Sequence, residues 1–114
     1  MSSAVSESCV ACWTTCPDEK VAEGLATTLL SERLCACVNI IPGVTSMYWW
    51  DNKVNKDQEF LLMIKTTKSN QEKLIEHIKQ EHPYDVPEVI CVDIDHGNND
   101  YLDWVKKATS PTKD

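Results

Sequence analysis

Six cysteines and three histidines are the residues of this 114-residue chain best suited to chemistry. Thiolates and imidazoles bind copper and zinc, and a site needs about three or four of them converging on one point. Cys9 and Cys12 have the C-x-x-C spacing, but the run around them, CVACWTT, is apolar and β-prone. An odd separation in a strand sends two side chains to opposite faces, and no Gly or Pro lies between them to make a knuckle, so a zinc ribbon is set aside. Free cysteine is among the most buried residue types, and Cys37 and Cys91 therefore read first as packing residues. His82 closes a helical stretch, where imidazole suits the negative end of the helix dipole, and His96 before Gly97 reads as a turn residue. Glu59, Lys65, Glu88 and Asp93 are scattered, with no nucleophile motif and no Ser-His-Asp order, so the chain reads as a non-enzyme.

The elements that must position these residues follow from hydrophobic spacing. Residues 35–67 form the organising stretch, two extended runs joined by the polar segment 51–56, read as a long β-hairpin. In the second run Phe60, Leu62 and Ile64 share one face and Leu61 and Met63 the other. In the first, Val44, Ser46, Tyr48 and Trp50 oppose Thr45, Met47 and Trp49. A ribbon apolar on both sides needs two covers, and the chain has helices for roughly one layer, so the second is expected from other copies of the same chain. The uncovered side is expected to carry Met47, Trp49, Leu61 and Met63, or their opposite set. The Trp49 and Trp50 pair is best used as interface packing.

In chain order, 9–15 is a first strand. Pro17, Asp18 and Glu19 suit a first helical turn, and Val21, Ala22, Leu25, Ala26, Leu29, Leu30 and Leu34 form the stripe of a helix stopping near Cys35. Ser69 and Glu72 match a capping box before a second helix carrying Leu74, Ile75 and Ile78, which ends at His82 because Pro83 follows. Residues 89–94 read as a strand, and Asn98 or Asn99 caps a last helix with Tyr101, Leu102, Trp104 and Val105. The fold class is α+β, a ferredoxin-like βαββαβ sandwich with an extra C-terminal helix and a long β2-β3 hairpin. Residues 1–114 are expected to form a single domain, with 1–8 and 109–114 frayed. An acylphosphatase-type site would place an arginine in the first strand-to-helix loop, here TTCPDE, and none is there.

A net charge of −7 supplies no positive footprint for nucleic acid. Arg33 is the sole arginine, and Gly24, Gly43 and Gly97 make no phosphate cradle. No segment has the roughly 18 to 20 apolar residues that span a bilayer, and the opening MSSAVSES lacks the features of a signal peptide. The expected compartment is the cytoplasm, with all six cysteines reduced and no membrane or nucleic-acid partner.

The motifs PDE, LCACVNIIPGVTSMYWW, EFLLMIKTT, EHPYDVPEVI and DYLDW, in this order over roughly 10–107, resemble the CutA divalent-cation tolerance proteins. The resemblance implies a homotrimer whose hairpins wrap neighbouring subunits, and a role in tolerance of copper and other divalent metal ions, zinc included. Carried over by position, it implies metal ligands at His82 and Cys37, with Glu81 standing for the first of the family's paired histidines. Thr14 occupies the place of a family cysteine, and Cys12 and Cys16, of the same strand parity, are possible stand-ins for it. A second reading is a PII-like trimeric signalling or scaffold protein that holds a small ligand or partner between subunits without catalysis. Convergence of His82, Cys37 and a third donor favours the first reading. A cleft between subunits lined by Lys65, Thr66 and Tyr84, with polar backbone exposed, favours the second.

Overall fold

Residues 7–110 are described by the computed structural model, and they follow the expected order. The elements are β1 (Cys9–Cys16), α1 (Glu19–Ser31), β2 (Cys37–Trp50), β3 (Lys53–Thr67), α2 (Gln71–Glu81), β4 (Ile90–Asp93) and α3 (Asn99–Ala108). The strands lie in the order β2-β3-β1-β4 and every neighbouring pair is antiparallel, the ferredoxin-like arrangement. No helix among the described residues is long and apolar enough to cross a membrane.

One face of the sheet carries Val10, Cys12 and Cys16 of β1 with Leu62 and Ile64 of β3. Ala22, Leu25 and Leu29 of α1 and Leu74 and Ile78 of α2 pack on them in a single core. Thr28 and His77 tie the two helices together through a 2.9 Å hydrogen bond between Oγ1 and Nε2. The opposite face carries Cys9, Ala11 and Trp13 beside Lys65 and Met63. α3 crosses one end of it, where the Cys9 thiol reaches the Leu102 carbonyl oxygen at 3.7 Å. Beyond α3, Ile41, Ile90 and Val92 remain exposed on this face.

Several local readings are corrected. Pro17 lies before α1 instead of within its first turn. Asp18 is the N-cap, and its Oδ1 accepts from the Val21 amide at 2.8 Å. The helix stops at Ser31, short of Cys35, because Arg33 adopts the left-handed conformation (φ 59°) and Leu34 N–H donates back to the Leu29 carbonyl. Leu30 falls outside the buried stripe and is exposed. Ser69 and Glu72 form no capping box. A short 3₁₀ turn, Lys68–Asn70, leads into α2 without a side-chain cap, and the Ser69 hydroxyl pairs with that of Thr67. Asn98 caps α3 as expected, accepting from the Asp100 amide at 2.9 Å.

The hairpin is longer and tighter than its sequence suggests. Its turn is only Asp51 and Asn52, both left-handed (φ 55° and 65°), the conformation a two-residue turn between twisted strands requires. A bulge between Ile41 and Val44 sets one extra β2 residue against β3, with Gly43 at φ 75°. An extra residue reverses the alternation. Val44, Ser46, Tyr48 and Trp50 therefore share a face with Leu61 and Met63, and neither face combination expected from simple counting is formed.

Two of the six cysteines expected to be reduced are joined. Cys12 and Cys91 sit directly opposite one another on β1 and β4, with Cα atoms 4.1 Å apart, and form a disulfide. Cys9, Cys16, Cys35 and Cys37 are free. The fraying expected at 1–8 and 109–114 falls largely on 1–6 and 111–114, outside the described residues. Within the described range, Ser8 accepts from the Lys68 amide at 2.8 Å and Thr109 is buried.

Candidate functional site

The end of α2 brings His82 beneath β1. Pro83 forces His82 out of the helical region, and as the C-cap its ring turns inward and is buried. Tyr84 N–H donates to Nδ1 at 3.1 Å, so Nε2 holds the proton and donates to the Thr15 carbonyl oxygen at 2.7 Å. Both ring nitrogens are thus engaged within the chain. A metal could take either one only after a hydrogen bond opens.

The other expected ligands lie apart. Glu81 is exposed at the last position of α2. Thr14 faces the helix-covered core with its Oγ1 sealed from solvent and without a hydrogen-bond partner among the described residues, so it has no route to a surface ion. Cys37 stands on the opposite face, in the row of Lys65 and Ala11. That row is three to four residues along β1 from Thr14 and Thr15, or roughly 10–13 Å at strand rise. Burial first, then the neighbouring Cys37, pushes the Tyr101 phenol of α3 up. Of the suggested stand-ins, Cys12 is held in the disulfide and Cys16 is buried. Burial, reinforced by the charges of Glu59 and Asp18, pushes the Cys16 thiol up to about 11. Among the described residues, no three His, Cys, Asp or Glu side chains are placed to hold a metal ion. Within the described residues of one chain, these donors do not meet around a copper ion.

A different constellation is assembled beside His82. Glu59 lies opposite Val44, just past the bulge, and is only 7% exposed. The Tyr84 hydroxyl donates to its Oε2 at 2.7 Å, and the Tyr84 ring leans on His82 at 4.7 Å. Two residues along β3, Asp57 accepts from the Tyr48 hydroxyl. Burial first, then the bond to Glu59, drives the Tyr84 phenol far above its ordinary range, so it stays a donor at any physiological pH. Tyr48, Glu59 and Tyr84 border a cavity of about 530 Å³ between the outer half of the hairpin and the loop after α2. Thr15, Tyr48, Trp50, Glu59, Tyr84 and Glu88 are among its walls. That volume is in the range of small-molecule sites.

The sequence reading named Glu59 and Tyr84 separately but did not join them, being 25 positions apart. The available signal was a single carboxylate in the apolar run EFLLMI, on a strand expected to be covered on both faces. Tyr84 lines this cavity within one chain, while Lys65 and Thr66 do not.

Comparison with known proteins agrees with this fold over nearly all of its length. The rice chloroplastic protein CutA 1 is 50% identical over 97 residues, which span 85% of this chain and 55% of that protein. The Thermus thermophilus divalent-cation tolerance protein CutA is 50% identical over 95 residues, 83% of this chain and 92% of that one. This chain thus spans about half the length of the rice protein and nearly all of the bacterial one. The crystal structure of CutA1 from Oryza sativa superposes with a TM-score of 0.88 at 46% identity, covering 92% of this chain and 96% of that chain. Residues 10–108 match the profile of the CutA1 divalent ion tolerance proteins, and the chain belongs to that family.

Proposed function

We propose that this chain is a non-catalytic, cytoplasmic protein of divalent-cation tolerance, working as a homotrimer of single domains spanning 1–114. The observation that carries the reading is the match of residues 10–108 to a family described by divalent ion tolerance. Copper is the first candidate ion and zinc the second, because thiolate and imidazole are the relevant donors. The donors of one chain are dispersed, so the proposed site draws on more than one copy. Glu81 and His82 come from the end of α2, and Cys37 comes from the open sheet face. Thr14 takes the place of a family cysteine without supplying a donor. Calorimetric titration of copper and zinc into the wild type, His82→Ala and Cys37→Ser tests this. Saturable binding weakened in both variants is expected, and equal binding in all three proteins removes these residues as ligands.

Association is supported by the hairpin. Trp49 is 74% exposed and Met47 67%, with Trp50 and Val54 beside them, and the sheet face beyond α3 leaves Ile41, Ile90 and Val92 in water. Apolar surface of this extent marks an interface. Sedimentation should give a trimer in the wild type and smaller species in the double variant Trp49→Ser, Trp50→Ser. A wild type that runs as one compact chain when dilute contradicts the assembly.

The second reading, a PII-like trimer holding a small ligand, is favoured by one observation. The Glu59–Tyr84 pair forms the wall of a real cavity, whereas the expected metal donors do not meet within a chain.

A further inference from the structure

The cavity beside Tyr84 has two properties that seldom occur together. Its walls include three aromatic rings, Tyr48, Trp50 and Tyr84, and three carboxylates, Glu59, Asp85 and Glu88. No lysine or arginine lines it. The only salt bridges among the described residues, Lys68–Asp93 and Lys79–Glu76, lie elsewhere. Glu59 is more than nine-tenths buried, and its Oε2 takes the Tyr84 hydroxyl. Among the described residues no other hydrogen bond reaches this carboxylate. The other oxygen is not sealed from solvent and is left as a charged acceptor for a ligand in the cavity.

The spacing of the acids narrows what that donor is. They surround a volume of about 530 Å³ and do not converge as a metal cluster does. A point charge would satisfy one of them and leave the others unpaired. A flexible aliphatic chain with ammonium groups at intervals would reach several at once. Its N–H groups make charge-assisted hydrogen bonds to carboxylates, its methylenes pack on the rings, and the ring faces attract the cationic ends. The net charge of −7 draws such a ligand in.

We propose that this cavity binds an aliphatic polyamine, with Glu59, held in position by Tyr84, as the central ammonium acceptor and Asp85 and Glu88 as the outer ones. The assignment rests on the ligand-binding reading of the cavity and is independent of copper or zinc.

Spermidine is titrated calorimetrically into the assembled full chain at physiological salt, with magnesium chloride as a control for charge alone and citrate as an anionic probe. Saturable spermidine binding is expected. Glu59→Gln, which keeps the side chain's shape and an acceptor for Tyr84, should weaken it about tenfold, the loss of one charge-assisted hydrogen bond. The exposed pair Asp85→Asn, Glu88→Gln should also weaken it and provides the test if the Glu59 variant does not fold. Heats no larger than those of magnesium, or affinity unchanged in the variants, overturn the proposal. Spermidine inert with citrate saturating overturns the cationic assignment while leaving the cavity a ligand site. Both inert overturns the cavity reading as well.

Discussion

His82 has both ring nitrogens occupied inside its own chain, and this decides what its removal should do. In His82→Ala the Thr15 carbonyl and the Tyr84 amide lose their partner together, and each buried group left unsatisfied costs about 1–3 kcal/mol. Urea unfolding should show at least about 2 kcal/mol of lost stability, whatever happens to metal affinity. A variant as stable as the wild type would mean that water replaces the ring without penalty. The buried thiols make a second residue-level prediction. Burial raises Cys16 from the ordinary 9.0 to about 11 and, with the Cys37 charge adding, Cys35 to about 12. In the folded chain both thiols keep their protons after the unfolded chain has begun to lose them. Their contribution is therefore intact below about pH 9 and declines as pH rises toward 11–12. Urea midpoints compared at pH 8 and 10.5 should fall, and Cys16→Ala should flatten the fall.

At the scale of the element, the bulge at Gly43 turns the outer hairpin over. Gly43→Ala forces a side chain into the left-handed region without meeting any neighbour within 4 Å, so backbone strain is the only penalty. About 1 kcal/mol of destabilisation is expected by thermal or urea melts. The same bulge marks the limit of what the sequence discloses. Period-two counting through β3 separated Leu62 and Ile64 from Leu61 and Met63 correctly, because that strand is regular. It could not pair those faces with Tyr48 or Trp49, since one extra residue at Pro42–Gly43 reverses parity and leaves composition untouched. Helix stripes were equally legible in Ala22, Leu25, Leu29, Leu74 and Ile78, all buried. The helix ends were less so. Arg33 takes a conformation usually left to glycine, and Asp18 caps α1 with Pro17 outside it. Candidate-site residues were legible one at a time only. Glu59 and Tyr84 meet because β3 and the loop after α2 fold onto one another, a fact that local spacing does not encode.

For the whole molecule, the Cys12–Cys91 disulfide closes a loop of 79 residues between the central strand and a four-residue edge strand. Constraining so long a loop in the unfolded chain is worth about 2–4 kcal/mol. Adding a reductant should lower the urea midpoint by a corresponding amount, and the Cys91→Ser variant should match the reduced protein and ignore reductant. A midpoint that does not respond would show that strand pairing alone holds β4.

The chain measures 53 × 26 × 22 Å, drawn out by a hairpin whose outer half leaves Met47, Trp49, Trp50 and Val54 exposed. Under the proposed assembly, a freshly made copy is an unfinished object holding out an adhesive arm. In that assembly, a copy that has not yet met its kin competes for every other sticky surface nearby, and its fate depends on how many siblings are already waiting. The yield of finished protein in a cell should therefore climb more steeply than the rate at which chains are synthesised.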